Sequence, residues 1–316
     1  MLPLVQDSIM PELPEVETIA NGLRLGRSEP ADVAHPALPG MRILGVHLLW
    51  ERTLAAPTPA EFAARLPGQA FERIGRRGKF LLAYLTQDTL IFHLRMSGDL
   101  LVEPLDAPLP RHHRLVLELE EGWRLALNDT RKFARAWLVS DPQAVLGKLG
   151  PEPFDPGLTP QAFHVRLQRT RRSLKPLLLD QTTLAGLGNI YTDEALHLAG
   201  LHPLAPANSV SLESAARLLE AIRSVLQTGI HHHGASIDWV YRGGDFQNHF
   251  MVYQRTGEPC KTCGAPIQRL VDRIATDPEI RKLVRESRGA GTLAVRASRG
   301  KSEEAARSVY RELVGL

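Results

Sequence analysis

The period of the apolar residues changes once along this chain, and that change limits what it can fold into. From Met41 to Ser140 the apolar positions form short alternating runs, and from Gln161 to His231 they recur every three to four residues. The switch falls at Leu149 to Pro160, LGPEPFDPGLTP, which is too rich in proline and glycine to continue either pattern and reads as a linker. A single bundle or a single barrel is therefore excluded, and 316 residues are enough for two cores.

In the first half the runs are MRILGVHLLW, QAFERIGRR, KFLLAYL, TLIFHL, RLVLELEEGWRLALN and ARAWLVS. RLVLELE and WRLALN, joined at Glu121 and Gly122, form a hairpin, and the even spacing of the runs leaves a sandwich or a barrel open. One helix precedes them: PELPEVETIANGL puts Val16, Ile19, Ala20 and Leu23 on one face, with Pro11 as its first residue. In the second half SLESAARLLEAIRSVLQTGI is the longest helical stretch, with Asn208 or Ser209 as its cap. DFQNHFMVYQRTGEPCKTCGAPIQRLV then alternates around a CxxC turn and reads as strand, knuckle and strand. Beyond Asp272 the charges alternate and SEEAARSVYREL is helical in pattern, with no assignable role.

Composition excludes several classes. With 43% hydrophobic and 6% aromatic residues the chain is neither disordered nor collagen-like. No apolar run approaches the roughly 20 residues of a membrane helix, and MLPLVQDSI lacks the basic start of a signal peptide. The two cysteines, Cys260 and Cys263, are too few for a disulfide framework, so a reducing, cytoplasmic compartment is expected. A net charge of +3 permits an anionic partner without requiring one; clusters such as RLQRTRRSLK, with Arg169, Arg171, Arg172 and Lys175, matter more.

Taken singly, the chemical residues have bland readings. Pro11 opens a helix whose dipole is complemented by Glu12, Glu15 and Glu17. Lys79 is an edge-strand lysine beside Arg76 and Arg77. Met96 and Phe133 are packing residues. GLGN is either a tight turn or a glycine turn whose amides approach a phosphate at a helix start. His231, His232 and His233 cannot all face one ion and suit a helix C-terminus, so they read as structural, and no carboxylate–histidine cluster at ligand spacing supports a metal-dependent nuclease.

Together, PELPEVET at Pro11 to Thr18, GLGNIYTDEAL at Gly186 to Leu196 and the CxxC, in that order, resemble the formamidopyrimidine-DNA glycosylase family over Met10 to Leu270. The resemblance implies an α+β fold: an N-terminal helix with a two-layered β-sandwich over 10–148, then a helix-two-turn-helix domain over 149–235. A lesion-capping loop and an incomplete zinc-finger hairpin occupy 236–271, with 1–9 an extension and 272–316 unassigned. It implies a DNA repair enzyme that excises oxidised purines and nicks the abasic site by β-elimination through a Schiff base. The expected partner is duplex DNA carrying oxidised purines, bound by a monomer in the cytoplasm at the nucleoid, with no membrane.

Roles follow residue by residue. Pro11 is the nucleophile through its α-amine, which near pKa 8 is about a tenth unprotonated at neutral pH, whereas a lysine near 10.4 is not. Glu12 is the general acid and base, Glu15 its supporting carboxylate, and Lys79 reaches the phosphate and sugar beside the lesion, with Arg76 and Arg77 of GRRGK fitting a basic DNA-facing edge. An everted nucleotide leaves a hole, filled by Met96, Arg131 and Phe133. Asn189, Arg171, Lys175 and His112 contact the DNA backbone, and the loop from Ser236 to Phe250, with Gly243 and Gly244, covers the everted base.

Two departures bear on this. Met1 to Ile9 precede the motif, and an amide nitrogen forms no imine, so translation from Met10 with removal of that methionine is expected. Cys260 and Cys263 match only the first half of a four-cysteine zinc finger, and no cysteine or histidine follows Cys263, so zinc binding is expected to be weak or absent. The finger arginine that assists a second elimination has no counterpart. The alternative is a catalytically inactive damage-binding relative with a blocked proline and a broken finger.

Overall fold

The structure, a computed structural model, describes residues 10–28, 34–236 and 243–270. The extension at 1–9, the stretch SEEAARSVYREL and part of the expected capping loop lie outside these residues.

Helix α1 spans Leu13–Leu25, and Val16, Ile19, Ala20 and Leu23 are all buried. It begins two residues later than the proline pattern predicts. Glu12 is extended and its amide is taken by the Glu15 side chain, so Glu12 is the cap, Pro14 sits in the first turn and Pro11 stands outside the helix.

Nine strands follow among the described residues. Strands β1 (Ile43–Leu48), β7 (His113–Leu119), β8 (Trp123–Asp129) and β6 (Gly98–Pro104) form one sheet in that order. Strands β2 (Leu54–Ala56), β9 (Arg135–Val139), β5 (Thr89–His93), β4 (Phe80–Leu85) and β3 (Phe71–Arg77) form the other. The β7–β8 hairpin turns where the sequence places it, with Glu121 and Gly122 both left-handed at φ 61° and 74°. Strands β2 and β6 and the short helix α2 (Pro59–Arg65) have no clear alternating or helical run and escape sequence reading. The inner faces share one core that includes Phe71, Phe92, Leu117 and Leu127.

The second half is helical: α3 (Gln143–Leu146), α4 (Pro160–Gln168), α5 (Leu174–Leu178), α6 (Asn189–Ala199) and α7 (Leu212–His231). The cap of α7 is Ser211, whose hydroxyl accepts from the Ser214 amide at 3.1 Å, while Asn208 and Ser209 form a separate 3-10 turn ending at buried Val210. A second core packs Phe163, Ile190, Tyr191, Leu218 and Ile222. Leu13 belongs to this core and Val16 to the sandwich core, so α1 is shared between them.

A buried network reinforces this. The Arg76 guanidinium donates to Glu17 at 2.8 Å and to both Glu152 oxygens at 2.7 and 2.9 Å, joining β3, α1 and the linker. Arg77 donates to the Gly150 carbonyl at 2.5 Å and also faces Glu152. Of the basic edge read at GRRGK, Arg76 is thus taken up by internal carboxylates, while Arg77 keeps part of its side chain exposed.

A second compact unit begins at Arg255. Its described part is a tight loop crossed by three backbone bonds: Gly257 N–H to the Ile267 carbonyl at 2.8 Å, Ile267 N–H to the Glu258 carbonyl at 2.9 Å and Cys260 N–H to the Ala265 carbonyl at 2.8 Å. The strands expected on either side of the knuckle shrink to a single bridge, Pro259 to Pro266. No helix among the described residues is long and apolar enough to cross a membrane.

Candidate active site

The first turn of α1 meets the N-terminus of α6, and two carboxylates and a lysine come together there. The Glu12 carboxylate accepts the amides of Gly188 at 2.6 Å, Ile190 at 2.9 Å and Tyr191 at 3.4 Å. The Gly188 amide of the glycine turn and the first amides of α6 therefore hold a protein carboxylate, and the positive end of α6 faces Glu12. Gly188 has no alternative, because a Cβ there would overlap the Glu12 carboxyl carbon. The backbone also fixes the approach, with the Leu13 amide donating to the Gly186 carbonyl at 3.0 Å.

Glu15 accepts the Glu12 amide at 2.9 Å, the Tyr191 hydroxyl at 2.9 Å and the Ala235 amide at 2.7 Å. Gly234, left-handed at φ +80°, lets the chain pass so closely that a Cβ would lie 2.7 Å from a Glu15 oxygen. Tyr191 and the 234–235 backbone carry no separate sequence signal; the tyrosine lies inside the GLGNIYTDEAL motif without being distinguished by it.

Glu12, Glu15 and Lys79 are only 2%, 3% and 7% exposed. Burial pushes Glu12 up from 4.5 to about 7; the Lys79 charge draws it down, Glu15 pushes it further up, and the Ile190 and Gly188 amides draw it down. Burial also raises Glu15, opposed by Ala235 and Tyr191. Burial lowers Lys79, opposed by the two glutamates. A carboxyl near neutrality can both give and take a proton, and a lysine drawn down from its usual value is closer to a usable base. Pro11, adjacent to Glu12 in the chain, is buried in the same place.

His93 was not apparent from sequence. It ends β5, buried, with its Nδ1 accepting the Arg95 amide at 3.1 Å and its ring edge-on to Phe80 at 4.6 Å. Burial, then the charges of Arg95 and Lys79, push it down to about 3, so it is a neutral acceptor that shapes the turn carrying Met96. That turn places Arg95 left-handed at φ 57° and leaves Met96 half-buried. Arg131 and Phe133 are exposed, Phe133 at 48%, with the guanidinium 5.2 Å from the ring centroid. Both turns hang on Asp129, fully buried at the end of β8. Its carboxylate accepts the Ser97 hydroxyl and the amides of Arg131 at 3.0 Å, Phe133 at 2.6 Å and Ala134 at 2.7 Å.

The sequence-predicted backbone contacts divide. Asn189 and Arg171 are exposed. Lys175 is paired with Asp193 at 2.8 Å, and Arg172 with Asp180 at 2.8 Å, so much of the basic run is already partnered. His112 lies half-buried, accepting from Arg111 Nε at 3.1 Å and close to Arg114 at 3.4 Å.

Residues 10–136 match the model of the formamidopyrimidine-DNA glycosylase N-terminal domain, and 149–240 that of the formamidopyrimidine-DNA glycosylase H2TH domain. The chain belongs to this family. It is 46% identical over 271 residues to the formamidopyrimidine-DNA glycosylase of Chloroflexus aurantiacus, covering 83% of this chain and 93% of that protein. It is 42% identical over 270 residues to that of Herpetosiphon aurantiacus, covering 83% and 95%. Among solved structures, the Lactococcus lactis glycosylase in complex with DNA containing N7-benzyl-Fapy-dG superimposes with a TM-score of 0.74 at 35% identity, covering 82% of this chain and 94% of that one. The same enzyme bound non-covalently to DNA containing an abasic site gives 0.72 at 35% identity, with the same coverage.

As a formamidopyrimidine-DNA glycosylase, the chain departs from its family at the finger. It has two cysteines, and among the described residues no other ligand group joins them in a set of three. The turn itself is knuckle-like: amides of Cys263 and Thr262 draw the Cys260 thiol below its ordinary value. Two thiolates do not complete a closed tetrahedral site, so the residues present do not fit the four-cysteine zinc centre.

Proposed function

We propose that this chain is a DNA repair enzyme that excises oxidised purines, 8-oxoguanine and formamidopyrimidines, from duplex DNA and then cuts the abasic site. The observation that carries the reading is the convergence of buried Glu12, Glu15 and Lys79 beside Pro11. Two buried carboxyls and a buried ammonium are costly to assemble for structure alone.

In this reading the Pro11 nitrogen, free once Met10 is removed, attacks C1' of the everted nucleotide. The C1'–N bond breaks, its electron pair leaves with the base, and the base takes up a proton. Glu12 protonates the sugar ring oxygen as the C1'–O4' bond opens, leaving an iminium ion. That cation acidifies C2'; loss of the C2' proton forms a C2'–C3' double bond and expels the 3'-phosphate. Water then hydrolyses the iminium and frees Pro11. Glu15 holds Glu12 in register and Lys79 stabilises the phosphate side.

Met96, Arg131 and Phe133 enter the vacated stack, with the arginine hydrogen-bonding the orphaned base. Asn189, Arg171, Lys175 and His112 meet the phosphates, Lys175 exchanging Asp193 for the DNA. Weak or absent zinc binding at the Cys260–Cys263 knuckle, a monomeric state and a cytoplasmic location complete the reading. An inactive damage-binding relative is disfavoured by the completeness of the carboxylate cage.

Borohydride trapping on an 8-oxoguanine duplex tests it. The expected result is a covalent protein–DNA adduct whose mass corresponds to a chain beginning at Pro11. Binding without any adduct identifies the inactive relative instead, and an adduct retaining Met1 overturns the role of Pro11.

A further inference from the structure

Sequence spacing offers no carboxylate–histidine cluster, but the fold makes one. His232 is the C-terminal cap of α7, Asp245 precedes the 3-10 turn at Phe246–His249, and His249 ends that turn. One ligand atom from each of the three lies within 4.8 Å of the others. His232 Nδ1 is 2.9 Å from Asp245 Oδ1, and the His232 and His249 rings are 3.8 Å apart between centroids at a tilt of 36°. The frame is held by backbone bonds, Asp245 N–H to the His232 carbonyl and Phe246 N–H to the Gly234 carbonyl, both at 3.0 Å.

A hydrogen-bonded His–Asp pair alone does not explain the third member. A divalent cation takes two imidazoles and one carboxylate together, and the negative end of the α7 dipole adds to the attraction. Ligand atoms around tetrahedral zinc sit about 3.4 Å apart, given bonds near 2.1 Å. Two nitrogens and one oxygen suit zinc or a neighbouring first-row ion rather than magnesium or calcium.

We propose that His232, Asp245 and His249 form a binding site for a zinc-class divalent cation, separate from the cysteine knuckle. The ion ties the end of α7 to the 3-10 turn. Between these anchors run Gly234 and Ala235, whose backbone holds Glu15, so the site braces one wall of the catalytic cage.

Cobalt titration of the full-length, metal-stripped protein tests this, because cobalt reports its ligands by absorption. The expected result is one equivalent bound with visible d–d bands in the Cys260→Ser/Cys263→Ser variant, free of any thiolate-to-cobalt charge-transfer band. His232→Ala/His249→Ala should lose those bands, and Asp245→Asn should weaken binding at least tenfold. Zinc at a hundredfold excess over its Kd should raise Tm by about 5 °C or more in wild type and in the cysteine variant, but not in the histidine variant. Equal metal-free Tm values show that the variants fold. Retention of the bands after removal of both histidines, or their loss with the cysteines, overturns the proposal.

Discussion

Glu12 is pulled in two directions, and its function depends on the balance. Burial alone makes it a weak acid, while Lys79 and the α6 amides restore enough acidity to leave it near 7. Single-turnover excision on an 8-oxoguanine duplex should therefore show an inflection near pH 7. Removing the cation leaves burial less opposed, so in Lys79→Met the inflection of the residual rate should move to higher pH; a stationary or acid-shifted inflection argues that the two groups are uncoupled. Glu12→Gln should lower the rate by about a hundredfold or more and abolish the inflection. The charged members of this cage were legible in sequence because PELPEVET carries them. Its amides and the Tyr191 hydroxyl were not, since a backbone donor has no letter and a tyrosine's partner is set by packing.

At the scale of elements, the two turns that bear Met96, Arg131 and Phe133 come from different connections between the sheets, β5 to β6 and β8 to β9, and share one anchor. Asp129 accepts from both, and an asparagine there would turn an NH₂ group toward amides that need an acceptor. Asp129→Asn should therefore slow base eversion, read by 2-aminopurine fluorescence opposite or beside the lesion, by about tenfold or more. Nicking of a duplex that already carries an abasic site should change far less; equal loss on both substrates means Asp129 serves the general fold instead. Ser97→Ala, which leaves the three amide bonds intact, should cost only about fivefold. Sequence singles out Arg131 and Phe133, and the aspartate that organises them was overlooked because burial is invisible in a string. Strand β2 was missed for a related reason: three residues are too short to display a period.

For the whole molecule, the question is what keeps two cores aligned so that a cage built from both stays closed. Helix α1 contributes to each, and Arg76 clamps it to the linker through Glu17 and Glu152. From sequence, the arginines of GRRGK read as a surface for DNA, because their partner Glu152 lies 76 positions away and only folding brings it near. The Arg76 side chain is 8% exposed, so deleting Glu152 removes the bidentate partner of a buried cation and leaves it Glu17 alone of the two carboxylates. Glu152→Ala should destabilise the protein by roughly 3 kcal/mol, lowering Tm by about 6–12 °C. Arg217→Ala breaks an ion pair too, but its partner Glu213 is 85% exposed, and the expected change is within about 0.5 kcal/mol. Calorimetry of the two variants side by side separates a buried clamp from an ordinary surface pair: equally small shifts would mean that shared apolar packing on α1, through Leu13 on one side and Val16 on the other, aligns the cores without the charges.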